Sequence, residues 1–450
     1  MSQASVLVLG LAKSGAAVAK LLAQQGANVT VNERKSREQC EGIEELEALG
    51  IQVICGGHPL TLLDKPVDFI VKNPGIPYDL PIIKEAVQKG IPVFTEVEIG
   101  YRLTSSPIIG VTGSNGKTTT TMMIREMLKE SGLQAKTAGN IGTVFCEVAA
   151  NSLKNEWLVT ELSSFQLLGI QTFRPKIGVL LNIYDAHLDY HGSKQEYMAA
   201  KARLFMNQRS SDLAVLNADQ DETRSLVEHV PGEVVWFSRK QPVKRGVYLE
   251  EESIIYVDKE GRRWDICSQK ELSLPGIHNV ENSMAAAAAA LEAGASLEGV
   301  QKVLRHFKGA AHRLQFVREW RGVSYYNDSK ATNALATRRA IESFDGSVIL
   351  IAGGLDRGED FNVLEDLFRS KLKALIVYGQ TAPKLALVGE KAGVKPIVHV
   401  DNVKEAVEQA RMIADEGDTV LLSPAAASWD QFDSFEERGD MFIQCVHMLK

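Results

Sequence analysis

Along most of this chain, short apolar runs rich in Val, Ile and Leu alternate with stretches in which apolar residues recur every three or four positions. Residues 5–9, 29–31, 53–55 and 69–71 are runs of the first kind, as are 108–112, 157–160, 177–183 and 215–217. The same pattern returns at 323–326, 348–351, 375–377 and 419–422. A short continuous apolar run suits a strand covered on both faces, and the 3.6-residue repeat between runs suits an amphipathic helix. The alternation therefore predicts an α/β protein built on parallel sheets. Residues 234–266 break it with short β-type pieces, joined by turns at Lys244-Arg245-Gly246 and Asp258-Lys259-Glu260-Gly261. The alanines at 285–290 propagate a helix easily. Ile124, Met127 and Leu128 share one helix face and read as core.

A chain of 450 residues exceeds one ordinary core, and at ~150 residues per domain it divides into about three. Breaks in the pattern place the domains at 1–98, 99–309 and 310–450. The first reads as Rossmann-like, the second as a P-loop ATPase-like parallel-sheet domain, and the third as Rossmann-like again.

The strongest chemical signal follows the run at 108–112. There Thr112-Gly113-Ser114-Asn115-Gly116-Lys117-Thr118-Thr119 enters a helical segment. Glycine lets backbone N–H groups converge, and with a helix N-terminus they form an anion cradle. Lys117 brings a positive charge for outer phosphates, and Thr118 a hydroxyl for Mg²⁺. The spacing misses the strict Walker form, because Val111 stands where its first glycine would be. Phosphate binding is still the better reading, and an ordinary strand-turn-helix junction is the alternative.

Other candidates also sit where strands end. Gly10-Leu11-Ala12-Lys13-Ser14-Gly15 is a βαβ turn, but Ala12 replaces the second glycine of a dinucleotide fingerprint. Either a nucleotide phosphate or nothing binds there. Lys72-Asn73-Pro74-Gly75 is a strand-end loop on the usual ligand side. Glu161 closes one central strand, in a position suited to Mg²⁺ or water, and His187 follows another. By periodicity alone, Lys201 is a solvated helix residue. Asn279 and Asn282 share a helix face and either bond a nucleoside or cap the helix. The loops after 326, 351, 377 and 422 gather Lys, Arg, Asp and Ser.

Charge and cysteine content narrow the classes. A net charge of −7 offers no general attraction for nucleic acid or an anionic membrane. The 5 cysteines are scattered without a CxxC pair, so neither a disulfide framework nor a zinc site is expected. No signal peptide and no apolar run of ~18 residues is evident, and a cytoplasmic protein is expected.

Taken together, TGSNGKTTT, GNIG at 139–142, ELSSFQL at 161–167, AKARLF around Lys201, GIHN, AHR, NDSKATN and SPAAASWDQF resemble the Mur ligase family. These are the ATP-dependent ligases of peptidoglycan precursor synthesis. The resemblance runs the length of the chain. NDSKATN, LLSPAAASWDQFDSFEERG and the short N-terminal section are most similar to the members that add D-glutamate. It implies ATP, Mg²⁺ (two ions) and a CO₂-derived carbamate on Lys201, with UDP-N-acetylmuramoyl-L-alanine and D-glutamate as substrates. A monomer is expected.

The resemblance also implies residue roles. Gly113, Ser114, Asn115, Gly116, Lys117, Thr118 and Thr119 would hold ATP phosphates, and Asn279, Asn282, His312, Arg313 and Asp328 the rest of the nucleotide. Thr118, Glu161, His187 and carbamylated Lys201 would bind metal. Lys117, Glu161, His187, Lys201 and Arg313 would be catalytic. Lys13, Ser14, Arg34, Gly75, Asn140 and His187 would contact the uridylylated substrate, and Lys330, Thr332, Arg357, Ser428 and Phe435 the amino acid. The chain departs from some members at Asn32-Glu33-Arg34, where they carry Asp-Thr-Arg, at Arg357 for Lys, and at Ser434 for Asn. A sister ligase, such as a folylpolyglutamate synthase, and a nucleotide switch that performs no ligation are the competing readings.

Overall fold

The computed structural model describes residues 3–184, 188–344 and 346–449. It falls into two compact units, residues 1–271 with 281–304 and residues 272–280 with 305–450.

The first unit holds two sheets. The smaller has five parallel strands in the spatial order Gln52–Cys55, Asn28–Glu33, Ser5–Leu9, Phe69–Lys72, Val93–Phe94. Because the chain starts in the middle and then crosses to the other side, its loops part above Ser5–Leu9 and Phe69–Lys72. Ligands enter open sheets of this kind at such a reversal. Helix Lys13–Gln24 covers one face, burying Val18 and Leu22 against Val8 and Val31.

The larger sheet has nine strands, in the order Arg263–Ser268, Ser253–Val257, Gly246–Glu250, Glu233–Ser238, Leu213–Asn217, Ile177–Leu180, Ile108–Thr112, Trp157–Glu161, Ala135–Gly139. All neighbours run parallel except the last pairings of the Gly246 side, which are antiparallel. The short β pieces expected at 234–266 therefore extend this sheet. Ile108–Thr112 lies between Ile177–Leu180 and Trp157–Glu161, with Val111 level with Glu161. The parallel register brings Gly113, Glu161 and Asn182 out at one edge. The run at 177–183 stops pairing after Leu180, because the next residues turn to meet the glycine loop: Ser114 N–H donates to the Asn182 carbonyl at 2.9 Å. Ile124, Met127 and Leu128 are fully buried, as core residues should be.

The second unit carries six strands in the order Gln315–Trp320, Val323–Asn327, Thr419–Leu422, Val348–Gly353, Leu372–Tyr378, Ile397–His399. Only the first pair is antiparallel. Apolar cores line both faces, so the polar loops after Asn327, Gly353, Tyr378 and Leu422 emerge together. Among the described residues no cysteine is in a disulfide. Among the described residues, no helix is long and apolar enough to cross a membrane.

Candidate active site

The glycine loop is shaped by backbone geometry first. Gly113 has φ +151° and Gly116 φ +81°, a region where side chains are strained. A Cβ on Gly116 would also fall 2.0 Å from Asn282 Oδ1. Asn182 fixes the loop from below. Its Oδ1 accepts from Asn115 N–H at 2.9 Å, and its Nδ2 donates to the Asn115 carbonyl at 3.3 Å. Helix Lys117–Glu130 then begins, leaving its first N–H groups facing the loop. Lys117 Nζ donates to the carbonyls of Gly113 and Ser114 at 2.9 and 3.0 Å.

Two acceptors complete the cradle. Thr118 Oγ1 donates to Glu161 Oε2 at 2.7 Å, and Asn140 Nδ2 donates to Glu161 Oε1 at 3.1 Å. One hydroxyl beside one carboxylate is the donor set Mg²⁺ accepts when water and phosphate supply the rest. His187 lies outside the described residues.

Lys201 corrects an expectation. Periodicity made it a solvated helix residue, but it is 1% exposed. Helix Lys194–Ala202 turns it inward, where Nζ donates to the Gly113 carbonyl at 2.9 Å and sits 4.5 Å from the Tyr197 ring centre. Burial, reinforced by the Lys117 charge and opposed by Glu161, holds its pKa well below the ordinary lysine range.

A cavity of about 540 Å³ opens beside this loop, a size suited to a small ligand. Lys13, Ser14, Gly75, Lys117, Asn140 and Lys201, all selected from sequence, line it together. Lys13 Nζ donates to the Gly142 carbonyl across it. Arg34 is exposed and is not part of the lining. The Gly10 turn is partly filled by the protein itself, since Leu11 N–H donates to Glu33 Oε2 at 2.7 Å. Burial works against the Glu33 charge, but the amides of Leu11, Lys35 and Arg34 hold its pKa below the usual range. Gly15 is needed there for packing, because a Cβ would lie 1.9 Å from the Gly10 carbonyl oxygen.

The second unit gathers a further set. Lys330 Nζ stands 5.2 Å from the Phe435 ring centre, and His312 meets the same ring edge-on at 6.1 Å. Arg357 stacks 4.2 Å over Trp429, next to buried Ser428. Thr332 N–H donates to the Lys330 carbonyl. Asp328 is occupied by the protein: Leu314 N–H reaches Oδ1 at 3.1 Å and Ser423 Oγ reaches Oδ2 at 2.9 Å. Burial raises its pKa to about 7. Arg313 Nε is buried with no hydrogen-bond partner among the described residues. His312, Leu314 and Ala425 adopt left-handed φ of 59°, 42° and 59°, strain of the kind that loops at functional sites store. Of the two asparagines, Asn282 packs on Gly116, whereas Asn279 Nδ2 donates to the Pro275 carbonyl at 2.7 Å within the second unit.

Sequence reading passed over several residues that hold these groups. Asn182 was one apolar-run residue among others. Ser163 and Gln166 line the cavity and form a reciprocal helix cap, and Gln166 Nε2 also donates to buried Glu96 at 3.3 Å. The S-x-x-Q spacing was the available signal. Asn327 Nδ2 donates to His312 Nδ1 at 3.0 Å, a contact between distant segments with no local mark.

A glycine-rich strand-loop-helix cradle at the edge of a parallel sheet, with a carboxylate on the neighbouring strand, defines an α/β protein of the P-loop class. Three family models extend this along the chain: Mur ligase MurD-like N-terminal domain at residues 4–95, Mur ligase middle domain at 111–290, and Mur ligase glutamate ligase domain at 312–426. The chain belongs to the Mur ligase family, and it is an ATP-dependent ligase.

Its relatives include two proteins named UDP-N-acetylmuramoylalanine--D-glutamate ligase. That of Geobacillus sp. (strain WCH70) is 52% identical over 100% of this chain and 98% of its own length. That of Bacillus subtilis (strain 168) is 49% identical over 99% and 97%. Among solved structures, UDP-N-acetylmuramate-alanine ligase MurC from Thermotoga maritima matches with a TM-score of 0.57 at 21% identity, covering 99% of this chain and 100% of that one. MurF from Acinetobacter baumannii gives 0.60 at 18%, covering 97% and 93%. These two share the fold.

Proposed function

We propose that this ligase joins D-glutamate to UDP-N-acetylmuramoyl-L-alanine, with ATP hydrolysed to ADP and phosphate. The observation that carries the reading is 52% identity, along the full chain, to a relative named for that activity. The chain would act as a monomer in the cytoplasm, with domains at 1–98, 99–309 and 310–450.

The chemistry follows from a free carboxylate being a poor acyl donor. The L-alanine carboxylate attacks the γ-phosphorus of ATP, the bond to the β-phosphate oxygen breaks, and ADP leaves. The amine of D-glutamate, as its free base, attacks the acyl carbon. The tetrahedral intermediate collapses to the amide, inorganic phosphate departs, and the amine proton is lost. Positioning and charge stabilisation supply most of the catalysis.

The loop from Gly113 to Thr119 would hold the phosphates, with Lys117 moving from its own loop carbonyls to the β- and γ-oxygens. Arg313, whose Nε is buried and unpaired, would meet charge developing on the transferred group, and Asn279, Asn282, His312 and Asp328 the nucleoside. Thr118 and Glu161 would hold one Mg²⁺, and His187 with carbamylated Lys201 a second, supplying charge neutralisation at the phosphoryl oxygens. Carbamylation needs a neutral amine, and the low pKa of Lys201 favours that form. Its neutral nitrogen adds to CO₂ and loses a proton, which replaces an amine with an anionic carbamate. Lys13, Ser14, Arg34, Gly75 and Asn140 would bind the uridylylated substrate. Lys330, Thr332, Arg357, Ser428 and Phe435 would receive D-glutamate, whose two carboxylates call for cations and hydroxyls.

The test is phosphate release from ATP with UDP-N-acetylmuramoyl-L-alanine and single amino acids, extended to folates as acceptors. Stimulation by D-glutamate is expected. Stimulation by a different amino acid, and not by D-glutamate, rejects the reading.

A further inference from the structure

Arg438 is among the largest fully buried side chains of the described residues, at 0% exposure. It lies in the first turn of helix Phe435–Met448. Among the described residues, its hydrogen bonds go to neutral acceptors. Nε donates to Ser329 Oγ at 2.9 Å and Nη2 to the Ser329 carbonyl at 2.8 Å. Nη1 donates to the carbonyls of Ala426 at 3.1 Å and Gly353 at 3.4 Å.

These acceptors belong to three separate loops, leaving the strands that end at Asn327, Gly353 and Leu422. Ser329 precedes Lys330, Gly353 lies four residues before Arg357, and Ala426 lies two before Ser428. Main-chain bonds already join the second and third loops, with Gly353 N–H donating to the Pro424 carbonyl and Leu355 N–H to the Ala427 carbonyl, and their backbone is in the left-handed region at Gly353, Gly354 and Ala425; Arg438 adds a link from both to the Ser329 loop. Ser329 extends the tie, since its hydroxyl donates to the Phe435 carbonyl at 2.8 Å.

A buried guanidinium without a carboxylate partner is expensive to desolvate. If packing were the only requirement, a neutral side chain would serve. What guanidinium alone offers is a rigid planar fork whose donors point in several fixed directions at once. Lysine has three donors on one nitrogen and cannot span three loops.

We infer that Arg438 is a positioning residue for the amino-acid half of the reaction: it ties together the loops bearing Lys330, Arg357 and Ser428, so that those side chains meet the incoming amino acid in one arrangement. This rests on the proposed role of those three residues.

Steady-state kinetics of the full chain test it. Arg438→Ala should raise the KM for D-glutamate at least about tenfold while the KM for UDP-N-acetylmuramoyl-L-alanine changes less than about twofold. Guanidinium ion at millimolar concentration should recover part of the loss, whereas methylammonium and the Arg438→Lys variant should recover little. Ser329→Ala, which removes one acceptor and little volume, should shift the same KM in the same direction, and it decides the matter if Arg438→Ala does not fold. An unchanged D-glutamate KM in Ser329→Ala overturns the inference, as does an equal loss for both substrates in Arg438→Ala with no guanidinium recovery. If the wild-type chain turns over with another amino acid and not with D-glutamate, the substrate reading fails, and Arg438 is tested with that amino acid instead.

Discussion

The Lys201 amine nitrogen lies 2.9 Å from the carbonyl oxygen of Gly113, so a helix lysine and the glycine loop share one buried pocket. In its charged form it adds like charge beside Lys117, which donates to the same carbonyl. A carbamate would reverse that sign. Lys201→Ala should therefore lower kcat by about 10–100-fold, and short carboxylates such as formate or acetate should restore part of it. Full activity of the plain alanine variant would exclude the role.

Gly116 faces Asn282 across a gap that has no room for a methyl group. Gly116→Ala must carry a left-handed strain of about 1 kcal/mol or more and displace the Asn282 amide. The KM for ATP should rise by roughly tenfold or more. Adding Asn282→Ala removes the clash but leaves the strain and removes a proposed nucleoside contact, so, measured against the Asn282→Ala single variant, Gly116→Ala should still raise the KM for ATP, though by less. No rise over that single variant would show that strain is irrelevant.

Asn182 supplies the acceptor for Asn115 N–H, and Asn182→Ala leaves that amide without it. Loss of a buried partner costs about 1–3 kcal/mol, here spent on loop order. A higher KM for ATP is expected, with the melting temperature of the second unit unaffected. Differential scanning calorimetry together with ATP titration checks both, and an unaltered ATP KM would refute the assignment of Asn182 as loop support.

Asp328 gives a pH signature. Its carboxyl titrates near 7 in the folded chain because of burial, against about 3.9 when unfolded. Between those values the native state holds the extra proton, so stability from this group is complete below about pH 4, falls as pH rises, and levels off above about 7. Asp328→Asn lacks the effect. Its melting temperature relative to wild type should climb from pH 4.5 to 7 and then hold steady. A constant difference across that range would contradict the raised pKa.

Much of the fold was legible because it depends on short-range pattern. Continuous apolar runs can be strands only where both faces are covered, and helical repeats between them demand right-handed parallel crossovers. The β pieces at 234–266 were legible as strands, yet nothing local said they would lengthen the central sheet. TGSNGKTT was legible as a glycine loop between a strand and a helix N-terminus, since glycine and a following helix act within a few residues. Lys201 was misread from periodicity, because an amphipathic repeat ranks polar residues as solvent-facing and cannot register a cavity on the inner side. Asn182 and Asn327 left no trace, since their partners lie 67 and 15 residues away.

Local pattern alone settled most strand and helix identities, the α/β class, the glycine-rich strand-loop-helix turn and, through its ordered motifs, the family. Those are properties of local propensity, spacing and chemical type. Tertiary structure decided that Glu161 faces Thr118, that Lys13, Gly75, Asn140 and Lys201 line one cavity, that Glu33 fills the first glycine turn, and that Arg438 gathers three loops. Each of these depends on parallel register and burial, which bring to one sheet edge groups that the chain keeps far apart.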